Sequence, residues 1–501
     1  MDIIGSLIWQ FIKHRRKAIE HFSIHPNKVQ ETIFRKLIRE AQNTEWGTAY
    51  GYKEIDRLQT FCDRVPVSSY EDVQPYVQRM LNGETNILWE GRISSFAKSS
   101  GTTNSQSKYL PLTPQAIEKN HYQGARDTIL FYLMNKPNSS LFTGKTLTLG
   151  GSQKVKKSAR NIVEGDLSSF LIKDTPFFVD FVRAPKRDIA IMSEWEAKLE
   201  AITRDTLHKN ITGISGAPAW VLTLFKKVLE VSGKETITEV WPNLEVFMHG
   251  GINFEPYREQ YKKLIPSPIM SYQEIYNASE GFFAIQSDLT ENAMLLMLDY
   301  PVFYEFVPLS DIGNPFPKTY TVEEVETNKN YAIIISTACG LWRYMIGDTV
   351  MFTSKYPFKI KITGRTKYYI NAFGEELIAD NAENAIAKAC QKMGAVVREY
   401  TVAPIFMSSK SKGAHQWLIE FEKQPEDLAL FAVELDKCVQ EQNSDYEAKR
   451  YKSLTMDCLQ VSVARKNLFY YWLKLKDKLG GQNKIPRLQN NRLIIDELLN
   501  L

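Results

Sequence analysis

Hydroxyl-bearing residues crowd around one glycine in Ser99-Ser100-Gly101-Thr102-Thr103-Asn104-Ser105-Gln106-Ser107-Lys108. Backbone N–H groups and hydroxyls of such a loop can converge on an anion, and Lys108 adds a point charge; this is the chemistry of phosphate binding. The segment is not a Walker loop, because the Gly-Lys-Ser/Thr ending is absent. A second group, Tyr276-Asn277-Ala278-Ser279-Glu280-Gly281, sets a hydroxyl beside a carboxylate. That pair suits Mg2+ next to a phosphate, since Mg2+ takes one or two carboxylates together with phosphate oxygens. A third, Trp342-Arg343-Tyr344-Met345-Ile346-Gly347-Asp348, puts an aspartate behind a glycine at the end of an apolar run, where it can accept from both ribose hydroxyls. Arg365, in Thr363-Gly364-Arg365-Thr366-Lys367, has the reach for nucleotide oxygens. Lys484, in Gly480-Gly481-Gln482-Asn483-Lys484-Ile485-Pro486-Arg487, stands on a glycine-flanked loop that can enter a site built elsewhere. Taken one at a time, each is as well explained by a surface loop, a turn, a linker or a solvated tail.

The elements that must hold these residues follow from periodicity. Residues 27–45, 114–134 and 188–207 space their apolar positions as helices do, and Ser68 or Ser69 with the acids behind it signals a helix start. Residues 93–113 read as strand, loop, strand. Short β-type runs lie at 244–248, 269–276, 331–336 and 358–363. After Gly364 the composition changes to an Ala-rich helix (381–393), β-type runs at 396–405 and 416–422, a helix over 425–442 and a basic, glycine-containing tail. We therefore divide the chain into residues 1–364 and a smaller α+β unit of residues 365–501.

A chain of 501 residues is too long for one compact core, so a large domain with a smaller partner is expected. The net charge of +4 comes without a long basic run, which argues against nucleic acid as a partner. Five widely spaced cysteines with no Cys-x-x-Cys pair argue against a disulfide framework or a structural zinc site and favour a reducing, cytoplasmic compartment. At the N-terminus Ile4, Leu7, Ile8, Phe11 and Ile12 recur at helical spacing ahead of basic residues, the reverse of a signal peptide. This reads as an amphipathic helix packed on the body rather than one lying on a membrane, and no stretch is long enough to span a bilayer.

In this order and at these separations, the elements resemble the adenylate-forming enzymes, most closely the acyl-acid amido synthetases of the auxin-responsive Gretchen Hagen family and their bacterial relatives. The matching segments are Ser99 to Lys108, Tyr276 to Glu280, Arg343 to Asp348 and Gln482 to Arg487, with Gly213 to Trp220 and His249-Gly250-Gly251 beside them. The loop after Thr103 is poorer in glycine than in many relatives. The resemblance implies an α/β fold: a large N-terminal domain of mixed sheets and helices with a β-barrel-like subdomain, and a small α+β C-terminal lid. It implies ATP and Mg2+ as cofactors and a carboxylic acid and an amine, usually an amino acid, as substrates. Ser99, Ser100, Gly101, Thr102, Thr103 and Lys108 would then hold the β- and γ-phosphates, with Tyr276 in the nucleotide site. Glu280 would bind the metal with Ser279 near the α-phosphate, Asp348 would bind the ribose, and Arg365 would lie near the ribose or α-phosphate, close to the hinge. Lys484 would reach the α-phosphate when the lid closes, and the acyl pocket would include residues 120–134. Two alternatives remain open: an acyl-coenzyme A ligase using the same adenylate, and a nucleotide- or acyl-binding protein without catalysis.

Overall fold

The computed structural model describes residues 3–99, 108–150, 156–157, 161–173, 175, 177–192, 194–251, 254, 257–312, 314–366, 369–370, 372–373, 375, 377–406, 413–443, 446–447, 450, 456–479, 485–489 and 491–501. Among them the largest sheet has 11 strands. Its order runs Val302–Pro308, Asn330–Thr337, Tyr344–Ser354, Lys359–Arg365, Met294–Leu296, Gly281–Ile285, Ser271–Ala278, Val246–Gly250, Ile211–Gly216, Lys145–Thr148 and Arg183–Ala184. From Val302–Pro308 as far as Ser271–Ala278 every neighbouring pair is antiparallel. From Ser271–Ala278 to Arg183–Ala184 every pair is parallel. The strand Ser271–Ala278 is therefore the seam between the two halves.

The antiparallel half is apolar on both faces. Ile333 and Ile335 point into the main core, while Ile334 packs with Val307 and Ala332 on the other side, as the two-residue period of a strand requires. The parallel half is covered by the helices Trp195–Thr206 and Pro218–Ser232, whose Trp195, Val221 and Phe225 join Ile214 and Phe247 in a second core. Covering helices are what parallel strands need. A separate four-stranded sheet carries the strands Ser95–Ser99 and Lys108–Leu112 as an antiparallel pair.

The capping signal at residues 68–72 is a helix start. The backbone amide and hydroxyl of Ser69 both donate to the Asp72 carboxylate at 2.8 Å, ahead of the helix Tyr70–Leu81. Ser68 pairs alongside Tyr344, its amide donating to the Arg343 carbonyl and its carbonyl accepting from Met345. This segment thereby braces the strand that carries Asp348. The N-terminal residues form the helix Ile3–Ile24. The side chains of the apolar stripe from Ile4 to Ile12 lie outside the described residues. Farther along, Arg15 ties the helix to the body by ion pairs with Asp127 at 3.0 Å and with Asp299. No described helix is long and apolar enough to cross a membrane.

Two expectations are corrected. Residues 188–207 are not one helix: Arg187–Ala190 stops, and Trp195–Thr206 begins afresh, because the Glu194 carboxylate caps the new start by accepting from the amides of Glu196 and Ala197. The C-terminal segment is not merely a basic tail. It holds the helices Leu468–Leu475 and Leu493–Leu499, which cover the second face of the small domain's sheet.

That sheet runs Val396–Ile405, Ala414–Lys423, Gln460–Val463. Val402, Trp417 and Ile419 face the helices Ala379–Met393 and Leu428–Gln442, whereas Ala403 and Leu418 face Leu468, Trp472 and Leu498. Besides a buried hydrogen bond from the Gln260 side-chain amide to the Val397 carbonyl at 3.0 Å, the small domain meets the large one through solvent-exposed ion pairs, Lys226 with Glu422 at 2.8 Å and Lys474 with Glu196 at 2.9 Å. Such pairs contribute little to stability, so they guide the contact rather than lock it.

Arg343 is a load in the core, not a ligand of the cleft. Its guanidinium pairs with Glu305 at 2.9 Å, both side chains shut off from solvent, and donates to the carbonyls of Cys62 and Val65. Arg343→Met would leave Glu305 buried and uncompensated, so we expect a loss of about 3–5 kcal/mol. Urea unfolding followed by tryptophan fluorescence should show a lowered midpoint; an unchanged midpoint would contradict this role.

Candidate active site

The sheet seam and the small domain enclose a cavity of about 1430 Å³. That exceeds the 300–1000 Å³ or so of a single drug-sized site, so it has room for a nucleotide triphosphate and a second small molecule. Lys108, Tyr276, Ser279, Glu280, Asp348 and Arg365 all line it, and from the small domain so do Ile485, Pro486 and Arg487.

Asp348 is fixed from two sides. The Tyr276 hydroxyl donates to its Oδ2 at 2.8 Å, and the Arg365 Nε lies 2.9 Å from its Oδ1. Asp348 and Arg365 are direct cross-strand partners, so this contact is built into the register. Burial and the charge of Asp348 push the Tyr276 phenol well above its ordinary range, which keeps it a donor. Each carboxylate oxygen has a second lone pair, leaving Asp348 able to accept from ligand hydroxyls. Asp348 lies inside the strand Tyr344–Ser354 rather than at its end. A left-handed Gly347 (φ +92) distorts the strand just before it and accepts from the Thr366 amide at 2.7 Å. Only glycine holds that backbone without strain.

Ser279 and Glu280 form the two-residue turn between Ser271–Ala278 and Gly281–Ile285. The turn opens into the cleft. Glu280 is half-buried there; burial pushes its carboxyl up, while Lys108 and Arg365 pull it down and Asp348 adds to the rise. Glu280 thus feels both the phosphate-loop lysine and the aspartate. Lys108 Nζ sits 5.2 Å above the Tyr70 ring, and its backbone pairs with Ser99 across the base of the loop. The residues between, with Ser100, Gly101, Thr102 and Thr103, lie outside the described residues, as does the Ser99 side chain. Lys484 lies outside them as well. Its neighbours Ile485 and Pro486 reach the cleft, and Arg487 anchors the segment by donating to the Tyr400 carbonyl at 3.0 Å and to the Tyr257 hydroxyl of the large domain at 3.1 Å.

The helical run over residues 114–135 contains a π-helical turn, Ile117–Tyr122, a feature common at functional sites. It swings Asn120 to pair with the backbone of Phe282, accepting from its amide at 2.6 Å and donating to its carbonyl at 2.8 Å. Gly124 lets the helix close on the same strand: a Cβ there would lie 2.4 Å from the Phe282 ring. His121, Tyr122, Ala125 and Ile129 on this run, with Leu171 and Phe282, give one end of the cavity an apolar lining. Burial holds the His121 imidazole neutral, its pKa pushed down to about 4.

Of the cleft residues, His249 falls in the His249-Gly250-Gly251 segment and His121 in the expected acyl region, whereas Arg258, Glu274, Lys361 and Glu383 carry no motif in the sequence. Glu274 had a signal, an acid inside a β-type run just ahead of Tyr276.

Comparison with known proteins gives the same frame. The GH3 family N-terminal domain matches residues 15–270, the GH3 family central domain residues 295–365, and the GH3 family C-terminal domain residues 380–493. An indole-3-acetic acid-amido synthetase of Arabidopsis thaliana is 23% identical over 94% of this chain and 91% of its own length. A jasmonoyl–L-amino acid synthetase of Oryza sativa subsp. japonica is 22% identical over 92% of each. In fold, the chain is similar to the GH3.15 acyl acid amido synthetase, with TM-score 0.76, 17% identity and coverage of 95% and 92%. It is also similar to a 2-hydroxyisobutyryl-CoA ligase in the postadenylation state, with TM-score 0.61, 11% identity and coverage of 94% and 92%. With its N-terminal domain match alone spanning half the sequence, the chain belongs to the GH3 family.

Proposed function

We propose that this protein is an ATP-dependent, AMP-forming ligase that converts a carboxylic acid into its acyl-adenylate and transfers the acyl group to an amine, in particular that of an amino acid. One observation carries the reading: Lys108 at the foot of the hydroxyl-rich loop, Glu280 on its turn and the doubly held Asp348 share a single cavity. Relatives covering most of both chains are named as amido synthetases, which favours an amine over coenzyme A as acceptor. Thiol-dependent rather than amine-dependent release of AMP would reverse that choice.

A carboxylate is a poor electrophile, and making it an anhydride of AMP supplies a leaving group. The protein needs no nucleophile of its own for this; it has to orient the reactants and balance phosphate charge. In this account Ser99, Ser100, Gly101, Thr102, Thr103 and Lys108 hold the β- and γ-phosphates. Asp348, oriented by Tyr276, takes the ribose hydroxyls, and Arg365 lies beside it. Ser279 faces the α-phosphate. The Glu280 carboxylate, opposite a cationic lysine and open to the cleft, fits Mg2+, which takes few protein carboxylates and completes its shell with phosphate oxygens and water. When bound, the metal supplies positive charge against the departing pyrophosphate. Lys484 enters from the small domain, so closure both completes the site and keeps water from the adenylate. We place the pivot near residues 364–367. The five unpaired cysteines favour a reducing, cytoplasmic setting.

Exchange of labelled pyrophosphate into ATP, driven by a panel of carboxylic acids, tests the reading; exchange with no acid at all would overturn it. The ribose role has its own check. Asp348→Ala removes charge-assisted hydrogen bonds of about 1.5–3 kcal/mol, so ATP affinity by calorimetry should fall about 10- to 100-fold. An unchanged affinity would reject the role.

A further inference from the structure

The ligase reading leaves open which group makes the amine reactive. An amino acid arrives at neutral pH as an ammonium ion, which has no lone pair to attack with. We propose that Glu274 takes the proton from the incoming amine, which enters between Glu274 on the large domain and Asp380 and Glu383 on the small one. This rests on the ligase reading.

Glu274 lies on the seam strand two residues before Tyr276, so both project to the same side, with Cα atoms about 6.6 Å apart. Both line the one cavity. The Glu274 backbone is clamped: its amide donates to the Gln286 side chain at 2.8 Å, and its carbonyl accepts from the Gln286 amide at 2.9 Å. Its carboxyl is half-buried in the cleft, and none of the adenylation roles uses it. The charged groups facing it are Arg258, from the helix Arg258–Leu264, and Lys361, from the strand Lys359–Arg365, with Asp380 and Glu383 on the first helix of the small domain. Glu383 also pairs with Arg487 at 3.6 Å, so acids from both domains meet at this end of the cleft with cations already among them, and the cluster is complete only when the domains meet.

Burial pushes the Glu274 carboxyl up to about 7; Glu383 and Asp380 push the same way, and Arg258 and Lys361 oppose them. A proton acceptor works best when its pKa lies near the working pH. The cleft imidazoles do not meet that condition, because burial holds His249 at about 3 and His121 at about 4. The step balances as follows. One N–H proton passes to Glu274, and the freed lone pair attacks the acyl carbon. The C–N bond forms, and the bond from that carbon to the phosphate oxygen breaks. AMP leaves with the electron pair, and the second nitrogen proton is lost to the departing phosphate or to water.

The test is single-turnover transfer from acyl-AMP formed on the enzyme with the acid that best drives pyrophosphate exchange. A mixture of the common amino acids is compared with hydroxylamine, which is already uncharged at neutral pH and needs no base. For Glu274→Gln we expect amide formation to fall about 100-fold while hydroxamate formation stays within about threefold of the native rate. The rise of the native rate through about pH 7 should vanish, and Glu274→Asp should restore part of it. Equal losses with both acceptors, or no loss with either, would overturn the proposal. Failure of the native enzyme to exchange pyrophosphate with any acid would instead sink the ligase reading on which it rests.

Discussion

Glu280→Gln is expected to slow acid-dependent exchange of pyrophosphate into ATP by about 100- to 1000-fold, the scale on which removing one preorganised electrostatic group acts. The substitution keeps the shape of the side chain and removes its charge. Glu280 stands on a turn fixed by the pairing of its two flanking strands, so the fold has no reason to change. What is lost is a carboxylate in the cleft, beside Lys108 and within the field of Asp348 and Arg365. A shift of the Mg2+ requirement to higher concentration should accompany the slower exchange. Native exchange at native Mg2+ would remove Glu280 from the metal role.

Lys484→Ala should be as severe, but in one half-reaction only. Adenylation should fall about 1000-fold, because a positive charge at the α-phosphate acts on the charge that develops in that step. Attack of amine on preformed acyl-AMP should change by less than about threefold. The neighbouring residues support such a role. Ile485 and Pro486 line the cavity, and Arg487 fastens the segment between Tyr400 of the small domain and Tyr257 of the large one. Arg487 also pairs with Glu399 and stacks 4.6 Å from the Tyr400 ring, so the loop leaves a fixed base. Equal losses in both half-reactions would contradict a role confined to the closed, adenylating state.

Much of the fold can be read in the chain because local and long-range signals agree there. Ser69 with Asp72 starts a helix as the spacing demands, and the apolar run Ile333-Ile334-Ile335 forms a strand buried on both faces. The chain departs from the pattern at two places, one through an uncommon local cap and one through tertiary packing. The break before Trp195 depends on Glu194, a residue not usual at a helix start. The helix Leu468–Leu475 is rich in bulky aromatics that disfavour helix locally; it forms because Leu468, Phe469, Trp472 and Leu473 cover a bare sheet face.

The cleft divides in the same way. Lys108, Tyr276, Ser279, Glu280 and Asp348 could be picked out of the sequence, because the phosphate, metal and ribose roles proposed for them constrain residue type at close spacing, and they line one cavity. Glu274, Arg258 and Glu383 come from three separate elements, and no short window contains more than one of them. Only the fold brings them to one cavity.

The central claim is that the acid's own oxygen attacks the α-phosphorus of ATP. An acid that supports pyrophosphate exchange, labelled with oxygen-18 in its carboxylate, tests this directly when the enzyme is run with ATP and amine. The account predicts one labelled oxygen in the phosphoryl group of the released AMP and none in the pyrophosphate. Label in inorganic phosphate, with ADP as the nucleotide product, would mean an acyl phosphate instead and would contradict it.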